Sequence, residues 1–228
     1  MRYAIYFTPD ANSVLHKLGS SWLGRDIYTN ADVEQPDRRL VGFTMDACRY
    51  GFHGTLKPPF RMKDSVSFAT FEAALRSLAN QHESFVAGPL ELRVIDGFVA
   101  LVSDGENVAL SHLAADCVQR LDDFRSPPEE AELRKRRSAG LTDAQDALLQ
   151  RWGYPFVLEE FRFHMTLTSR LTDEEAAWIL PMAQMHFAPV LSRALNIDAV
   201  TLLVEPDDGD DFMVRDRLSL IFNALKVA

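Results

Sequence analysis

The chain has 228 residues, 47% of them hydrophobic, which is enough to bury a substantial core in one large domain or two small lobes. Its formal net charge of −9 and pI of about 5.1 exclude a protein whose main task is to coat nucleic acid, because that binding needs many Lys and Arg contacts to phosphates. Extended nucleic-acid binding is therefore not expected, whereas a small phosphorylated ligand is compatible with this charge.

The first residues, MRYAIYFTPD, lack the basic stretch and long apolar run of a secretory signal, and no apolar run approaches membrane-spanning length. The sequence therefore predicts a cytoplasmic protein without a membrane partner. Cys48 and Cys117 are the only cysteines and form no C-x-x-C pair, so we expect reduced, buried thiols rather than a disulfide or a zinc site.

The first half of the chain shows clear alternation and helical periodicity everywhere except in residues 24–48, where the signal is weak. An Asp96-Gly97 pair between two apolar runs is typical of a two-residue hairpin turn, and apolar residues spaced by three and four indicate an amphipathic helix. The predicted elements are a strand (3–7), a helix (13–23), a strand (50–56) that ends at Pro58-Pro59, a helix (66–81) and a hairpin (90–95 and 98–102).

The second half repeats this order of strand, helix and hairpin. The predicted elements are a strand (161–168), a helix that starts at the Thr172/Glu175 capping box, and two strands near 197–204 and 212–222. Each copy opens with a His-x-Thr-Leu segment. The repetition predicts a single bilobal domain over residues 1–228, with lobe-forming repeats at about 50–103 and 160–222.

A connecting region lies between the copies. It contains a helix near 106–124, a Ser126-Pro127-Pro128 break, a charged helix over 129–137, and a helix from the Thr142/Gln145 capping box to Gly153. We interpret about 125–153 as a helical insertion, which is either a lid over a substrate or an interface with another subunit.

The two copies carry rows of polar side chains on their opening strands. Because strand side chains alternate between faces, His53, Thr55 and Lys57 should project together, and Arg162, His164 and Thr166 should do the same on the second strand. The opposite faces are apolar. Each strand therefore presents an imidazole, a hydroxyl and a cation in front of a hydrophobic wall.

Such rows suit displacement at phosphorus. One neutral imidazole can accept a proton from the attacking hydroxyl while the other, protonated, donates one to the leaving oxygen. Threonine hydroxyls can donate hydrogen bonds to the non-bridging phosphate oxygens, where charge builds up. No third ligand is evident near either histidine, so no metal and no cofactor is predicted.

The segments RYGFHGTLKPPF and FRFHMTLTSRL resemble those of the 2H phosphoesterase superfamily, which includes RNA 2′,3′-cyclic phosphodiesterases and 2′-5′ RNA ligase-like enzymes. The sequences of these two segments are most similar to a branch of that superfamily often encoded beside phosphonate-utilisation genes. The resemblance implies an α+β, pseudo-two-fold fold with two antiparallel sheets facing a central cleft and helices outside. It also implies catalytic roles for His53 and His164 and phosphate binding by Thr55 and Thr166.

Other side chains are candidates for substrate binding. Lys57, Arg162 and Arg49 are cations that line the cleft if strand parity holds, although such residues are equally often surface groups. Tyr6 and Tyr154 are candidates for stacking on a base or sugar, with burial in the core as the alternative.

The sequence thus predicts a metal-independent phosphoesterase that acts on a cyclic phosphate or phosphodiester of a nucleotide, an RNA end or a sugar. A non-catalytic module that binds a nucleotide or RNA end is the alternative from a different class, and a metallohydrolase is a third. The assignment of base and acid to the two histidines and the oligomeric state stay open at this point.

Overall fold

The computed structural model describes residues 1–103, 105, 107–138 and 140–222. The strands are β1 (Arg2–Phe7), β2 (Gly54–Phe60), β3 (Phe85–Ile95), β4 (Phe98–Ser103), β5 (His164–Thr166), β6 (Ala194–Ile197), β7 (Ala199–Glu205) and β8 (Met213–Ser219). The helices are α1 (Val14–Leu23), α2 (Val41–Tyr50), α3 (Phe68–Ala79), α4 (Val108–Arg120), α5 (Glu130–Arg137), α6 (Asp143–Trp152) and α7 (Asp173–Phe187). Within these ranges, no helix is both long and apolar enough to cross a membrane.

All eight strands form one antiparallel sheet in the order β6-β3-β4-β5-β2-β1-β7-β8. The predicted α+β class, with antiparallel strands and helices, is confirmed. The two expected sheets are joined, however, because Gly54 of β2 pairs with Met165 of β5. A Cβ atom at Gly54 would lie 2.4 Å from the Phe163 ring, so the junction between the halves depends on a residue without a side chain.

The halves of the sheet do not coincide with the repeats expected at 50–103 and 160–222. The hairpin β3–β4 of the first copy pairs with β5 of the second, while β2 of the first copy lies with β1 and the hairpin β7–β8. The two copies therefore exchange their opening strands. Each half of the sheet takes strands from both.

Local signals predict most of the elements. Ser13 caps α1 by accepting a hydrogen bond from a backbone N–H, and both predicted capping boxes open α6 and α7. Asp96 and Gly97 have φ values of 48° and 87°, as the two-residue hairpin turn requires. The predicted helix near 106–124 is α4 followed by a short 3₁₀ turn at Asp122–Phe124, and Glu106 lies outside the described residues.

Other elements differ from the prediction. Helix α2 occupies much of the region with a weak signal and extends to Tyr50, so the strand predicted over 50–56 begins only at Gly54. It then continues through Pro58 and Pro59. The ladder with β1 shifts register at these prolines, and the pairing with β5 is confined to Gly54, so the missing N–H groups remove no ladder bond. Strand β5 is shorter than the predicted 161–168, and β6 is an additional strand that the sequence pattern does not predict.

The hydrophobic core lies between the sheet and its helices and is rich in aromatic side chains. Trp22 of α1 is fully buried, and its indole N–H donates to the Leu167 carbonyl at 2.9 Å, just after β5. Phe52 and Phe187 are also fully buried and stack on each other. Phe52 immediately precedes His53, so this core anchors the first His-x-Thr segment.

Candidate active site

The two His-x-Thr segments lie side by side at the junction between the halves of the sheet. Because Gly54 pairs with Met165 in an antiparallel ladder, His53 lies opposite Thr166, and Thr55 lies opposite His164. Side chains directly opposite each other in such a ladder have Cβ atoms about 4.5–5.5 Å apart. The strand pairing therefore places two imidazoles and two hydroxyls at the corners of one small rectangle, with the histidines on a diagonal.

Each of the two histidine rings is held by a hydrogen bond from Nδ1 to the backbone carbonyl two residues earlier. The Nδ1–H of His53 donates to the carbonyl of Gly51 at 2.8 Å, and the Nδ1–H of His164 donates to the carbonyl of Arg162 at 2.7 Å. A carbonyl can only accept, so each Nδ1 carries the proton in the neutral ring. In this tautomer each Nε2 carries the lone pair that can accept a proton, and the Nε2 of His53 accepts a hydrogen bond from the Thr55 hydroxyl.

His53 is packed more tightly than its half-buried side chain suggests. The Tyr6 ring stacks on the imidazole at a centroid distance of 3.7 Å and an interplanar angle of 15°, and the Thr55 hydroxyl lies 3.1 Å from Nε2. Burial lowers the pKa of His53 to about 4 against the opposing effect of the Gly51 hydrogen bond, and the positive charges of His164 and Arg25 add to the lowering. His53 is therefore neutral at neutral pH.

The second segment is more open. His164 and Thr166 are half-buried on β5, where they pair with Val102 and Ala100 of β4. The Phe98 ring lies 6.1 Å from the His164 ring. The strand register places the two imidazoles on one diagonal, so a positive charge on His164 opposes protonation of His53 and contributes to its lowered pKa.

A cavity of about 680 Å³, within the usual size range of small-molecule sites, reaches this rectangle at Thr55 and His164, whereas His53 and Thr166 are not among its lining residues. Its lining includes Thr55, His164, Asp96, Phe98, Gln145, Tyr154, Phe156, Glu160, Phe161, Arg162 and Arg170. Asp96 and Arg170 are not among the site residues that the sequence predicts. Asp96 is in the hairpin turn and Arg170 follows the second motif, and the hydrogen bond from the Leu171 N–H to the Gly97 carbonyl at 2.6 Å brings the two segments together.

The predicted cations have different positions. Arg162 is exposed and lines the cavity, as predicted. Lys57 does not: it is buried, its ammonium donates to the Val118 carbonyl at 3.0 Å, and it lies 3.6 Å from Asp122. Burial lowers the pKa of Lys57 to about 8, although Asp122 opposes this effect.

A β-bulge explains the position of Lys57. On β1, Ile5 and Tyr6 are adjacent, yet their partners on β2 are Lys57 and Thr55, so β2 contains one extra residue between them. Such an insertion breaks the alternation of side chains, and Thr55 and Lys57 no longer share a face.

Arg49 also differs from its predicted role. It lies in the last turn of α2 rather than on a strand, so strand parity does not apply to it. Its guanidinium pairs with the fully buried carboxylate of Glu205, which also binds Arg2, and donates to the Asp210 carbonyl at 3.1 Å. Arg49 therefore ties α2 to β7 and is not among the residues that line the cavity.

The two predicted tyrosines also have different positions, one in the protein interior and one in the cavity wall. Tyr6 is buried against His53, so its ring supports the imidazole. Tyr154 lines the cavity, packs edge-to-face on Phe156 at 5.8 Å, and lies under the Arg136 guanidinium at 4.6 Å. The segment that follows α6 thus contributes to the cavity wall.

In the part of the chain that the structure describes, the histidines and carboxylates do not cluster in the way that a metal centre requires. In residues 1–103, 105, 107–138 and 140–222, no group of three or more His, Cys, Asp or Glu side chains is arranged to hold a metal ion. The independence from metal that the sequence predicts stays a prediction.

Fold and site together define an α+β protein with a paired His-x-Thr rectangle beside a cavity suited to a small molecule. The chain belongs to the family described as "Protein of unknown function (DUF1045)", which matches residues 55–213. That match includes Thr55, His164 and Thr166 and begins just after His53.

The chain is similar to two curated proteins named "Ribose 1,5-bisphosphate phosphokinase PhnN". The protein of Janthinobacterium sp. (strain Marseille) is 40% identical over 227 residues, which are 95% of this chain and 50% of that protein. The protein of Laribacter hongkongensis (strain HLHK9) is 35% identical over 215 residues, with coverages of 93% and 50%. The chain spans about half the length of the curated relatives it matches.

Solved structures also align along most of the chain. TT0787 of Thermus thermophilus is 14% identical, with a TM-score of 0.45 and coverage of 96% of this chain and 98% of that one. E. coli LigT in its apo form is 14% identical, with a TM-score of 0.42 and coverages of 96% and 97%.

Proposed function

We propose that this chain is a phosphoesterase that hydrolyses a cyclic phosphate, with His53 and His164 as proton-transfer groups and Thr55 and Thr166 as phosphate-binding groups. The observation that carries the proposal is the pairing of Gly54 with Met165, which brings both motifs to one rectangle. A phosphate between the diagonal histidines would have an imidazole on each side. In-line displacement at phosphorus needs that arrangement, because the attacking and leaving oxygens lie on opposite sides of the phosphorus.

In this proposal His53 is the general base. Its low pKa keeps the imidazole neutral, and Nε2 can accept a proton from the attacking water. The water oxygen forms a bond to phosphorus as the bond to the leaving ester oxygen breaks. His164, protonated before the reaction, donates its Nε2 proton to that oxygen, and the two threonine hydroxyls donate hydrogen bonds to the non-bridging oxygens.

The names of the relatives support a ribose phosphate as the substrate of this proposal. They carry the name of a ribose 1,5-bisphosphate kinase and are twice as long as the matched region. This sequence contains no Gly-Lys pair and hence no P-loop of the GxxxxGK[ST] type, so we assign phosphorylation to the other half of those proteins. Hydrolysis of a ribose 1,2-cyclic phosphate that also bears a 5-phosphate yields ribose 1,5-bisphosphate when the phosphorus–O2 bond breaks and O2 takes the proton from His164, and this chain would then supply the substrate of the kinase.

Charge in the cavity supports an anionic substrate. Arg162 and Arg170 are both exposed in its lining, and among the residues that the structure describes neither has a carboxylate within ion-pair distance. These two guanidiniums, in a chain with a net charge of −9, are available to bind phosphate.

The test is hydrolysis of a panel of cyclic phosphates in EDTA. The panel contains ribose 1,2-cyclic phosphate with and without a 5-phosphate, and nucleoside 2′,3′-cyclic phosphates. His53→Ala and His164→Ala should each reduce kcat by about 10²–10⁴-fold, whereas the exposed His112→Ala should match the wild type.

Each result of this assay has a defined meaning. Turnover that survives chelation and is lost in both motif variants supports the two-histidine mechanism. Turnover that is lost in EDTA and restored by a divalent metal would favour a metallohydrolase. Binding of these ligands without turnover, unaffected by either motif substitution, would favour a non-catalytic binding module.

A further inference from the structure

A buried arginine lies behind the first motif, in the region whose sequence pattern is weak. Arg25 follows Gly24, the left-handed C-cap of α1, and only 4% of the residue is exposed. Neither residue belongs to a recognisable motif. A buried guanidinium needs several acceptors to offset its loss of hydration, so its partners indicate its role.

The acceptors of Arg25 are mostly backbone carbonyls, and they lie where the loop after α1, the end of α2 and the segment before β8 meet. Its Nε and one terminal nitrogen donate to the Cys48 carbonyl at 3.0 and 2.7 Å, and that nitrogen also donates to the Arg49 carbonyl at 3.0 Å. Both terminal nitrogens lie 3.2 Å from the Phe212 carbonyl, and one donates to the Asn30 side chain at 2.8 Å. Arg25 thus caps the C-terminal end of α2 and joins it to the segment before β8.

That end of α2 leads directly into the motif. The Cys48 carbonyl also accepts the N–H of Gly51 at 2.9 Å, and Gly51 has a φ of 70° and a carbonyl that binds Nδ1 of His53. The other end of α2 contacts the chain just after the second motif, because the Phe43 carbonyl accepts the N–H of Ser169 at 2.6 Å. Helix α2 therefore links the backbone that leads into His53 with the backbone that follows Thr166, and Arg25 fixes the end next to His53.

We propose that Arg25 is a positioning residue for His53, which acts through the carbonyls of Cys48, Arg49 and Phe212 to hold the Gly51 carbonyl where it orients the imidazole. The inference rests on the proposed function. It adds a residue that touches neither substrate nor reacting atoms.

The charge of Arg25, like its hydrogen bonds, favours a neutral and correctly oriented His53. The one carboxylate within ion-pair distance of it in the described part of the chain is Asp211, which is 3.7 Å away and 44% exposed, so the positive charge is only partly neutralised. The other titratable groups around His53 are Tyr6, Tyr50 and His164. Arg25 and His164 both oppose protonation of His53, which keeps the base neutral.

The test compares Arg25→Met and Arg25→Lys with Arg217→Met. Arg217 is a matched control, because it also donates to a backbone carbonyl, that of Thr8, and pairs with an aspartate, Asp198. The measurements are kcat and KM on the best cyclic phosphate of the panel and an NMR titration of the His53 ring. The His53 resonance is assigned by its loss in His53→Gln.

We expect Arg25→Met to lower kcat by about 10- to 100-fold with KM changed less than about threefold, and to raise the pKa of His53. Arg25→Lys keeps the charge but not the planar fork that spans three carbonyls, so kcat should fall while the pKa of His53 stays low. A kcat in Arg25→Met equal to that of Arg217→Met, together with an unchanged His53 pKa, would overturn the proposal.

Two further points keep the test decisive. If Arg25→Met does not fold, Arg25→Lys decides alone, and wild-type kcat in a folded Lys variant would refute the positioning role. The titration needs no turnover. A protein that hydrolyses none of the panel but shows the expected change in His53 pKa would refute the proposed function while retaining the effect of Arg25 on the imidazole.

Discussion

Gly54 and Met165 are the single residue pair through which β2 and β5 meet, and each is the central residue of a His-x-Thr segment. This pairing sets the distance between the two motifs through the backbone. It also requires glycine on one side, because the Phe163 ring occupies the space that a Cβ at position 54 would fill.

Gly54→Ala should therefore damage both stability and activity. The added Cβ would lie 2.4 Å from the Phe163 ring, and overpacking of this kind costs about 1–3 kcal/mol. Urea unfolding measures the loss, and kcat should fall because the two motifs move apart. Gly42→Ala is the matched control: it is exposed in α2, nothing lies within 4 Å of its added Cβ, and alanine favours a helix by about 1 kcal/mol. Equal stability of the two variants would contradict this account.

The low pKa of His53 predicts a specific pH dependence of stability. The folded state resists protonation of this ring down to about pH 4, whereas an unfolded chain protonates it near pH 6.5. The unfolded state thus binds more protons between these values, and the free energy of unfolding should fall as the pH is lowered from 6.5 to 4, by up to about 3 kcal/mol. Urea unfolding of the wild type and of His53→Gln should show that the substitution flattens this part of the profile.

The pH dependence of activity should also reflect the titration of His53. A general base must be neutral, so the acid limb of kcat/KM should fall only near pH 4 if His53 is the base. An acid limb near pH 6.5 that is retained in Arg25→Met would instead assign the base to a ring with an ordinary pKa. The measurement is kcat/KM of the free enzyme for the best substrate over about pH 3.5–8.

The sequence is informative wherever the signal is local. The caps at Ser13, Thr142 and Thr172 and the turn at Asp96 predict their elements because each acts within a few residues. The two motifs are recognisable because they repeat. The roles of the surrounding cations cannot be read in this way, since they depend on which strands pair.

Lys57 and Arg162 illustrate the limit. Both lie two positions from a motif residue, and strand alternation predicts that both line the cleft. One extra residue in β2 opposite β1 turns Lys57 into the protein interior, while Arg162 lines the cavity. A bulge is a property of two strands together, and no pattern in β2 alone identifies it.

This difference can be tested with one pair of variants. Lys57→Met keeps much of the buried volume but loses the hydrogen bond to the Val118 carbonyl. The free energy of unfolding should therefore fall by about 1–2 kcal/mol, while KM stays within about twofold of the wild type. Arg162→Met should leave stability nearly unchanged and raise KM by about tenfold, since a charge-assisted contact to phosphate contributes about 1.5–3 kcal/mol. The reverse pattern would restore Lys57 as the substrate-binding cation.

Gly19→Ala tests how far the core supports the first motif. Gly19 is in the middle of α1, where alanine would ordinarily stabilise the helix by about 1 kcal/mol. Here the added Cβ would lie 2.1 Å from the Phe52 ring, which is fully buried and adjacent to His53. Because Phe52 cannot move without displacing the backbone that carries the imidazole, we expect a net loss of about 1–3 kcal/mol in urea unfolding and a lower kcat with little change in KM. A gain in stability at unchanged kcat would show that the ring can shift freely and that α1 does not constrain the catalytic histidine.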